Sequence, residues 1–239
     1  MQLPYFYNID IKSTGEVLTL DEETSRHVVS ALRMQPGEQL HLTDGRGNIA
    51  TAEIVNDHKK KCDVVVKDTR SAPRAARSVT IAVSLLKNNS RFEWFLEKAT
   101  EIGVSAVVPL ICERTERQHF RKDRMEGVLV SAMLQSRQCW LPQLSEPVDA
   151  DKFFKARFDN TSIFIAHCDE QYKQSLVSQT FNGASLICIG PEGDFSKEEI
   201  QLALQHNFIP VSLGDTRLRT ETAAIVAATL LCIGKQTEK

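Results

Sequence analysis

Over the first 70 residues, apolar and polar positions alternate in short runs, the pattern of half-buried β-strands. The runs lie at residues 16–20, 39–43, 50–55 and 61–67. Turn-forming sequences separate them, at Pro36-Gly37 and at Asp44-Gly45-Arg46-Gly47. Only residues 25–34 have a helical pattern here. Strands this short and this closely spaced predict a small β-barrel or sandwich.

From residue 79 onward, continuous apolar runs alternate with helical patterns. The runs are typical of parallel strands buried on both faces, and they lie at residues 79–86, 106–112, 162–166, 185–189 and 210–213. Helical patterns lie at residues 91–102, 122–138, after 196 and at about 221–233. The change predicts an α/β fold in two parts, a small β-barrel domain at 1–72 and a parallel α/β domain at 73–239. The polar stretch 71–78, which contains Pro73, is the predicted connector.

Two of the predicted helices carry further information. Ser196 and Glu199 have the spacing of a capping box, in which each side chain satisfies the other residue's backbone N–H. The final helix is apolar almost all round. A helix without a polar face must be buried, either in the core of its own chain or against another subunit.

Composition narrows the class of protein. The 239 residues are 42% hydrophobic and 25% charged, which are ordinary globular values. We find neither an apolar run of the roughly 20 residues that span a bilayer nor the basic and apolar regions of a signal peptide. The six cysteines lie at least 20 positions apart, without a C-x-x-C pair or an H-E-x-x-H motif. We therefore expect a reduced, cytoplasmic protein without a membrane segment or a metal site.

Charge is distributed unevenly around a net value of −2. Residues 71–145 carry 11 basic and 7 acidic side chains, and both flanks are acidic. A basic middle is compatible with a phosphate-facing surface. It is equally compatible with one solvated face of a loop and a helix.

Two glycine-anchored segments near the end of the chain carry most of the functional information. Each follows an apolar run and precedes a helical pattern, at Gly190-Pro-Glu-Gly193 and from Leu213-Gly214 onward. The carboxyl edge of a parallel sheet and the helix N-termini meet at such places, where α/β proteins hold ligands.

The first segment matches neither of the two common phosphate-binding loops. It lacks the lysine of the G-x-x-x-x-G-K-[ST] motif and the third glycine of the G-x-G-x-x-G motif. The Glu192 carboxylate would repel a phosphate and would suit a ligand with a cationic centre or hydroxyl donors, such as S-adenosylmethionine. The alternative to a ligand site is that Gly190-Pro-Glu-Gly193 forms only a tight turn, with the Glu192 side chain exposed to solvent. In the second segment, Arg217, Arg219 and Glu221 place charge at the start of an apolar helix, which is costly unless the charge is used or paired. The alternative there is that Arg219 and Glu221 pair with each other.

The residues from Ile189 to Ser196 and from Leu213 to Ala224 resemble the two signature motifs of the bacterial 16S rRNA 3-methyluridine methyltransferases. These enzymes belong to the SPOUT, or α/β-knot, superfamily. The similarity continues through residues 91–115 and 135–142 and reaches His27, Leu32-Arg33 and residues 44–47 of the first domain. It covers nearly the whole chain.

The resemblance implies a PUA-like RNA-binding barrel, a C-terminal domain with a trefoil knot, S-adenosylmethionine as cofactor and an obligate homodimer. It further implies methyl transfer to N3 of a uridine in 16S rRNA of the small ribosomal subunit. N3 carries a proton at neutral pH, so the enzyme needs a proton acceptor and a group that stabilises charge on O2 and O4. The candidates are Glu192 or Glu221 as acceptor and Arg219 as stabiliser.

The binding residues follow from the same resemblance. The cofactor contacts are expected at Ala166, His167, Gly190, Pro191, Glu192, Gly193, Leu213, Gly214, Leu218, Arg219, Thr220 and Thr222. The phosphates of the RNA are expected at Arg33, Arg46, Arg114, Arg117 and Arg121.

Three alternative functions stay open at the level of sequence. The nearest is a SPOUT methyltransferase that acts on tRNA or on a ribose 2′-oxygen, a reaction that needs no deprotonated base. Another is a non-catalytic RNA-binding protein of the same fold. The third is an enzyme with a different nucleotide cofactor, which the missing lysine and third glycine disfavour.

Overall fold

The computed structural model describes residues 3–116, 119–168, 173–179 and 183–233. The chain divides into two compact units. The first comprises Met1–Arg74 and Met133–Leu141, and the second comprises Ala75–Ala132 and Pro142–Lys239. Residues 133–141, which the sequence pattern assigns to the α/β part, thus belong to the barrel unit.

The first unit is a curled five-stranded sheet. Its strands are β1 (Tyr5–Tyr7), β2 (Val17–Thr19), β3 (Gln39–Thr43), β4 (Asn48–Asn56) and β5 (Asp63–Ser71). The order is β1-β3-β4-β5-β2, with β1 parallel to β3 and the other pairs antiparallel. Alternate side chains of β3, β4 and β5 fill the core, among them Leu40, Leu42, Ala52, Ile54 and Val64. The four strands predicted from alternation are present, and β1 was missed because three residues are too few to show a period.

The helical segment of this unit begins earlier than the pattern indicates. Helix α1 (Glu22–Arg26) continues into a π-helical turn at His27–Ala31. Asp21 caps it, because its Oδ1 accepts the N–H of Thr24 at 2.8 Å. The predicted start at residue 25 missed this polar first turn, which contributes little to the apolar period.

The second unit contains an eight-stranded parallel sheet. Its strands are β6 (Ser78–Ser84), β7 (Ala106–Ile111), β8 (Gln143–Leu144), β9 (Val148–Asp149), β10 (Thr161–Ala166), β11 (Gln174–Ser175), β12 (Ala184–Ile189) and β13 (Ile209–Ser212). The order is β11-β13-β10-β12-β6-β7-β8, and β9 also pairs with β7. Every pair is parallel. The predicted combination of a small barrel-like β domain and a parallel α/β sheet is confirmed.

The helices of this unit are α2 (Asn89–Ile102), α3 (Lys122–Gln135), α4 (Ala150–Phe154), α5 (Lys197–Gln205) and α6 (Thr220–Ile233). Gly103 ends α2 in the left-handed region at φ 98°, as the pattern predicts. Helix α6 buries Ala224, Ala227, Ala228 and Leu231, whereas Ile233 is 70% exposed. Its core-facing side packs on α2 and β6 of its own chain. Among the described helices, none has the length and apolar content of a membrane span.

Candidate functional site

A cavity of about 710 Å³ lies at the carboxyl edge of the parallel sheet. Strands β10, β12 and β13 are neighbours there, and the chain segments that follow them form the wall. Because all three strands are parallel, their carboxyl ends meet at one edge, which is where ligands bind in open α/β sheets. The volume lies within the range of about 300–1,000 Å³ that is usual for small-molecule sites.

Most residues predicted to bind a cofactor line this cavity. They are Ala166, His167, Gly190, Pro191, Glu192, Leu213, Gly214, Leu218, Arg219 and Thr220. Gly193 and Thr222 do not line it. The sequence reasoning missed further wall residues on the same loops, including Cys168, Lys173, Asp194, Asp215 and Thr216. Lys173 carried no local signal, because its Nζ reaches the carbonyl oxygen of His167 at 3.0 Å only once the chain has folded.

Close packing fixes the conformation of the loop after β12. A Cβ added to Gly190 would lie 3.0 Å from both the backbone N and the Cδ2 of Phe195, tighter than nine in ten real Cβ contacts. Phe195 is buried, and its ring packs edge-on against Phe154 at a centroid distance of 5.8 Å. Gly190 is therefore needed for close approach, so that the loop can fold back onto the core.

Asp194 joins two of the loops that form the wall. Its backbone has φ 65°, in the left-handed region that Asp tolerates better than most residues. Its Oδ2 accepts the N–H of Cys168 at 2.7 Å, and its Oδ1 accepts the N–H of Phe195 at 2.9 Å. One carboxylate thus fixes the segment after β10 relative to the segment after β12.

Glu199 serves both the helix cap and a neighbouring loop. The predicted capping box is confirmed: the N–H of Glu199 donates to Ser196 Oγ at 3.2 Å, and Glu199 Oε2 accepts the N–H of Ser196 at 2.8 Å. Glu199 Oε1 also accepts the N–H of Glu113 at 2.8 Å. The carboxylate is buried, and these bonds compensate its desolvation.

Arg114, predicted to bind phosphate, lies against the loop after β12. Its Nη1 donates to the carbonyl oxygen of Gly193 at 2.7 Å and to that of Phe195 at 3.5 Å. The aliphatic part of Arg114 occupies the space beside Gly193, where an added Cβ would lie 3.3 Å from Arg114 Cδ. Arg114 and Glu199 together hold the loop after β7 against the loop after β12, which forms part of the cavity wall.

The three predicted catalytic residues occupy different environments. Glu192 and Arg219 are exposed and line the cavity. Within the described residues, the Arg219 guanidinium has no carboxylate partner. Glu221 is only 7% exposed, does not line the cavity, and lies 3.6 Å (Oε1) from Nε of Arg91. The alternative pairing of Arg219 with Glu221 is therefore wrong.

The Glu192 carboxylate also contacts the backbone of Lys87. Its Oε1 accepts the backbone N–H of Lys87 at 3.4 Å. The Lys87 ammonium lies 2.6 Å from Glu116. The hydrogen bond to Glu116 raises the pKa of Lys87, and the Glu192 carboxylate contributes to the same shift. The Lys87 backbone thus contacts Glu192, whereas the Lys87 ammonium is paired with Glu116.

Arg33, Arg46 and Arg121 are not among the residues that line the cavity. Arg33 and Arg46 are exposed residues of the barrel unit, and Arg33 has φ 56°. Arg121 is exposed, with Nη2 3.6 Å from Asp123 Oδ2. Arg117 lies outside the described residues. Nowhere in the described ranges do three or more His, Cys, Asp or Glu side chains form a group that could hold a metal ion.

Comparison with known proteins identifies the class. A family described as the RNA methyltransferase domain matches residues 73–232, and one described as the RNA methyltransferase PUA domain matches residues 20–67. The first match spans more than half of the chain. The chain therefore belongs to the RNA methyltransferase domain family.

Solved structures give the same result over the full length. The chain is 38% identical to a probable rRNA-methyltransferase from Porphyromonas gingivalis, with a TM-score of 0.88 and 95% of each chain covered. It is 32% identical to a Legionella pneumophila protein described as a methyltransferase in complex with the bound cofactor SAM, with a TM-score of 0.85 and 97% of each chain covered. It is also 26% identical to a ribosomal RNA small subunit methyltransferase E from Neisseria gonorrhoeae bound to S-adenosyl methionine, with a TM-score of 0.88 and 98% of each chain covered.

A curated relative carries the same description. The ribosomal RNA small subunit methyltransferase E of Mycobacterium bovis is 28% identical over 232 residues, which cover 93% of this chain and 88% of that protein. Barrel and α/β unit thus occur together in these relatives.

The packing at Gly190 predicts a large effect of one methyl group. In Gly190→Ala the added Cβ meets the backbone of buried Phe195, and we expect the free energy of unfolding to fall by about 1–3 kcal/mol, the usual cost of overpacking. Gly127→Ala in α3 is the matched control, because nothing lies within 4 Å of its added Cβ. Alanine in a helix interior should stabilise that variant by roughly 0.5–1 kcal/mol. Urea denaturation of both variants measures the difference, and equal stabilities would contradict the packing argument.

Proposed function

We propose that this chain is an S-adenosylmethionine-dependent methyltransferase that forms 3-methyluridine at N3 of a specific uridine in 16S rRNA of the small ribosomal subunit. The observation that carries the proposal is the cavity of about 710 Å³ at the carboxyl edge of β10, β12 and β13. Membership of the RNA methyltransferase domain family supports the reaction class. Similarity to two structures described with S-adenosylmethionine supports the cofactor.

The residues of the cavity suit this cofactor. Ala166, Leu213 and Leu218 offer apolar surface, and the backbone at Gly190 and Gly214 is open to close approach because neither residue carries a Cβ. The Glu192 carboxylate suits a cationic sulfonium and the hydroxyl donors of a ribose. When bound there, S-adenosylmethionine would supply the methyl group.

The chain itself supplies proton transfer and charge stabilisation. We assign the acceptor of the uridine N3 proton to Glu192, because it lines the cavity and Glu221 does not. A carboxylate within hydrogen-bond reach of N3 can take that proton as a general base. Arg219 faces the same cavity without a carboxylate partner in the described part of the chain, so it is free to stabilise the negative charge that develops on O2 and O4.

The proposal extends to assembly and location. Helix α6 leaves Ile225, Val226 and Leu230 only partly buried and Ile233 exposed, which supports a homodimer that covers this apolar surface. The family resemblance further implies the trefoil knot and a cytoplasmic enzyme that meets the small subunit. Arg33, Arg46, Arg117 and Arg121 stay candidates for phosphate contacts.

The direct test is methyl transfer from labelled S-adenosylmethionine to small ribosomal subunits that lack the modification. We expect labelled 3-methyluridine at a single 16S site, identified by mass spectrometry of the digested RNA. The Arg219→Ala protein is the control, with turnover lower by about 10²-fold from loss of one charge-stabilising donor. Label on a ribose, or on tRNA in a parallel reaction, would overturn the substrate. Failure to bind the cofactor would leave only an RNA-binding protein.

Glu192 and Glu221 form a matched pair for locating the proton acceptor. In Glu192→Gln we expect kcat to fall by about 10²–10⁴-fold, the usual contribution of a general base. In Glu221→Gln we expect near-normal kcat and a lower thermal midpoint, because the buried partner of Arg91 loses its charge. Steady-state kinetics and thermal melts separate the two effects. The reverse pattern of kcat losses would assign the proton to Glu221.

Arg114 is predicted to position the cofactor loop rather than to contact RNA. Hydrogen bonds from a charged group contribute about 1.5–3 kcal/mol, so Arg114→Ala should raise the dissociation constant for S-adenosylmethionine by about tenfold. Arg157→Ala is the control, since its side chain is 91% exposed and lies 3.9 Å from Asp159. Calorimetric titration measures both. Unchanged cofactor affinity with a higher KM for RNA would instead place Arg114 in the RNA interface.

A further inference from the structure

The curled sheet of the barrel unit has a second face that is not its hydrophobic core. Successive side chains of a strand point to opposite sides, and directly paired residues share a side. Leu40 and Leu42 enter the core, so His41 and Thr43 point the other way. The pairings Tyr5↔His41 and Tyr7↔Thr43 place both tyrosines on this side.

Strands β4 and β5 extend the same face. Thr51 pairs with His41 and Ile49 with Thr43, and Arg70 of β5 pairs with Ile49. Tyr5, Tyr7, His41, Thr51 and Arg70 therefore share one side of the sheet, which we name the outer face.

Three aromatic rings lie on the outer face, beside Thr43 and Ile49, which are buried. The Tyr5 and His41 ring centroids lie 4.8 Å apart at an interplanar angle of 59°. The side chains of Tyr5, Tyr7 and His41 are all partly exposed. Burial, and then the Arg70 guanidinium, lower the pKa of His41. The lowered pKa favours the neutral form of the His41 ring, which presents an aromatic surface beside the tyrosines.

Arg46 lies in the turn between β3 and β4, at one end of this face, and Trp140 and Arg74 lie beside that turn. The chain at residues 139–141 is hydrogen-bonded to this turn, since Gly47 donates to Cys139 and Leu141 donates to Gly45, both at 2.8 Å. The Trp140 ring fills the space beside Gly47, where any Cβ would overlap it. Arg74 lies over the Trp140 ring, with Cζ 5.4 Å from its centroid. Arg46 is exposed in the same turn.

The arginines of this region are available to an external anion. Among the described residues, Arg46, Arg70 and Arg74 have no carboxylate within ion-pair distance. Asp44 of the turn is only 7% exposed, and its oxygens accept the N–H of Arg46 and both the backbone and side-chain N–H groups of Asn48.

Three acidic residues also point to the outer face, and one of them, Asp63, accepts hydrogen bonds from Thr19 Oγ1 at 2.6 Å and Asn56 Nδ2 at 2.9 Å. Glu53 is paired with Lys67 at 3.2 Å, so its charge is compensated. Asp68 pairs with Thr51, two residues along β5 from Arg70. A polyanion on this face would therefore run towards Arg46 and Arg74 rather than over Asp68.

We propose that the outer face binds an unpaired RNA segment, with bases stacked on Tyr5, Tyr7 and His41 and phosphates held by Arg46, Arg70 and Arg74. Aromatic side chains beside a positively charged groove are the general means by which proteins hold single strands. A duplex hides its base faces, so it cannot use the rings. The match of residues 20–67 to an RNA methyltransferase PUA domain agrees with an RNA ligand. The inference rests on the proposed function in that this RNA is the substrate.

Fluorescence anisotropy of the full chain tests the inference. The probe is a fluorescein-labelled single-stranded 12-nucleotide RNA of mixed sequence, compared with the same strand annealed to its complement. We expect the single strand to bind at least about fivefold more tightly than the duplex. In the double variant Tyr5→Leu, Tyr7→Leu, the single strand should bind about tenfold more weakly, because one or two stacked bases are lost.

Two further variants separate stacking from charge. Arg70→Ala should lower the slope of log affinity against log salt by about 0.7, the value for one phosphate contact on a single strand. Lys59→Ala removes a charge from the loop between β4 and β5, away from the outer face, and should leave that slope unchanged. Cofactor titration and a thermal melt check that the tyrosine variant is folded.

The outcomes distinguish this inference from the proposed function. Equal binding of single strand and duplex, or an unchanged affinity in the folded tyrosine variant, would overturn the outer face as a stacking surface even if methyl transfer to small subunits succeeds. Selective single-strand binding that depends on both tyrosines would support the inference even if the methylated product proves to be a different nucleoside.

Discussion

The close contact between Gly190 and Phe195 is the constraint on which the cavity depends. Phe195 anchors the loop after β12 in the aromatic core, where its ring meets Phe154. The loop returns to that anchor at a point where a side chain on residue 190 would force Phe195 to shift. With the anchor in place, the backbone carbonyls of Gly193 and Phe195 are fixed where Arg114 can bind them. The Asp194 carboxylate is then fixed where it can bind the segment after β10. A shift at this one contact would therefore move two walls of the cavity together.

Charges near the cavity fall into two groups with different physical roles. Glu199 and Asp194 accept several backbone N–H groups, which offsets the cost of removing a carboxylate from water. Glu221 is buried, with Oε1 3.6 Å from Nε of Arg91 in α2 and with Oε2 lacking a hydrogen-bond partner among the described residues. Glu192 and Arg219 instead line the cavity and are exposed. Charged groups that are not paired within the fold remain available for a ligand. The proposed chemistry uses two such groups, Glu192 and Arg219.

Sequence patterns predicted the elements whose periods are long enough to detect. The bounds of β7, β10, β12 and α6 agree with the apolar runs to within a residue, because buried parallel strands and buried helices are apolar throughout. Elements of two to five residues, such as β8, β11 and α4, were not predicted, because so few residues show no period. The grouping of segment 133–141 with the barrel unit could not be read from the sequence for a different reason: its hydrogen bonds to Gly45 and Gly47 join residues about 90 positions apart.

The candidate site was predictable to the extent that it is built from loops directly following strands. Glycine after an apolar run indicates the carboxyl edge of a sheet, and ten residues placed there by sequence line the cavity. Side-chain partners were not predictable in the same way. Glu221 and Arg219 are two positions apart in the sequence, yet Glu221 pairs with Arg91, which is 130 positions away. Local spacing cannot identify such a partner, because it depends on the packing of α6 against α2.

The distribution of basic residues shows why net charge along a sequence is a poor guide to an RNA surface. The basic excess at residues 71–145 suggested a phosphate-facing middle. In the structure several of these side chains have carboxylate partners: Arg124 with Glu93, Lys98 with Glu97 and Glu101, and Lys122 with Glu126 and Glu146. The two charges of such a pair largely compensate each other. Together with screening by salt, this leaves little electrostatic attraction for a distant phosphate. Three arginines without a carboxylate partner in the described residues, Arg46, Arg70 and Arg74, belong to the barrel unit beside aromatic rings. An RNA-binding surface is therefore better predicted from unpaired charge next to exposed aromatic side chains than from the sum of charges over a stretch of sequence.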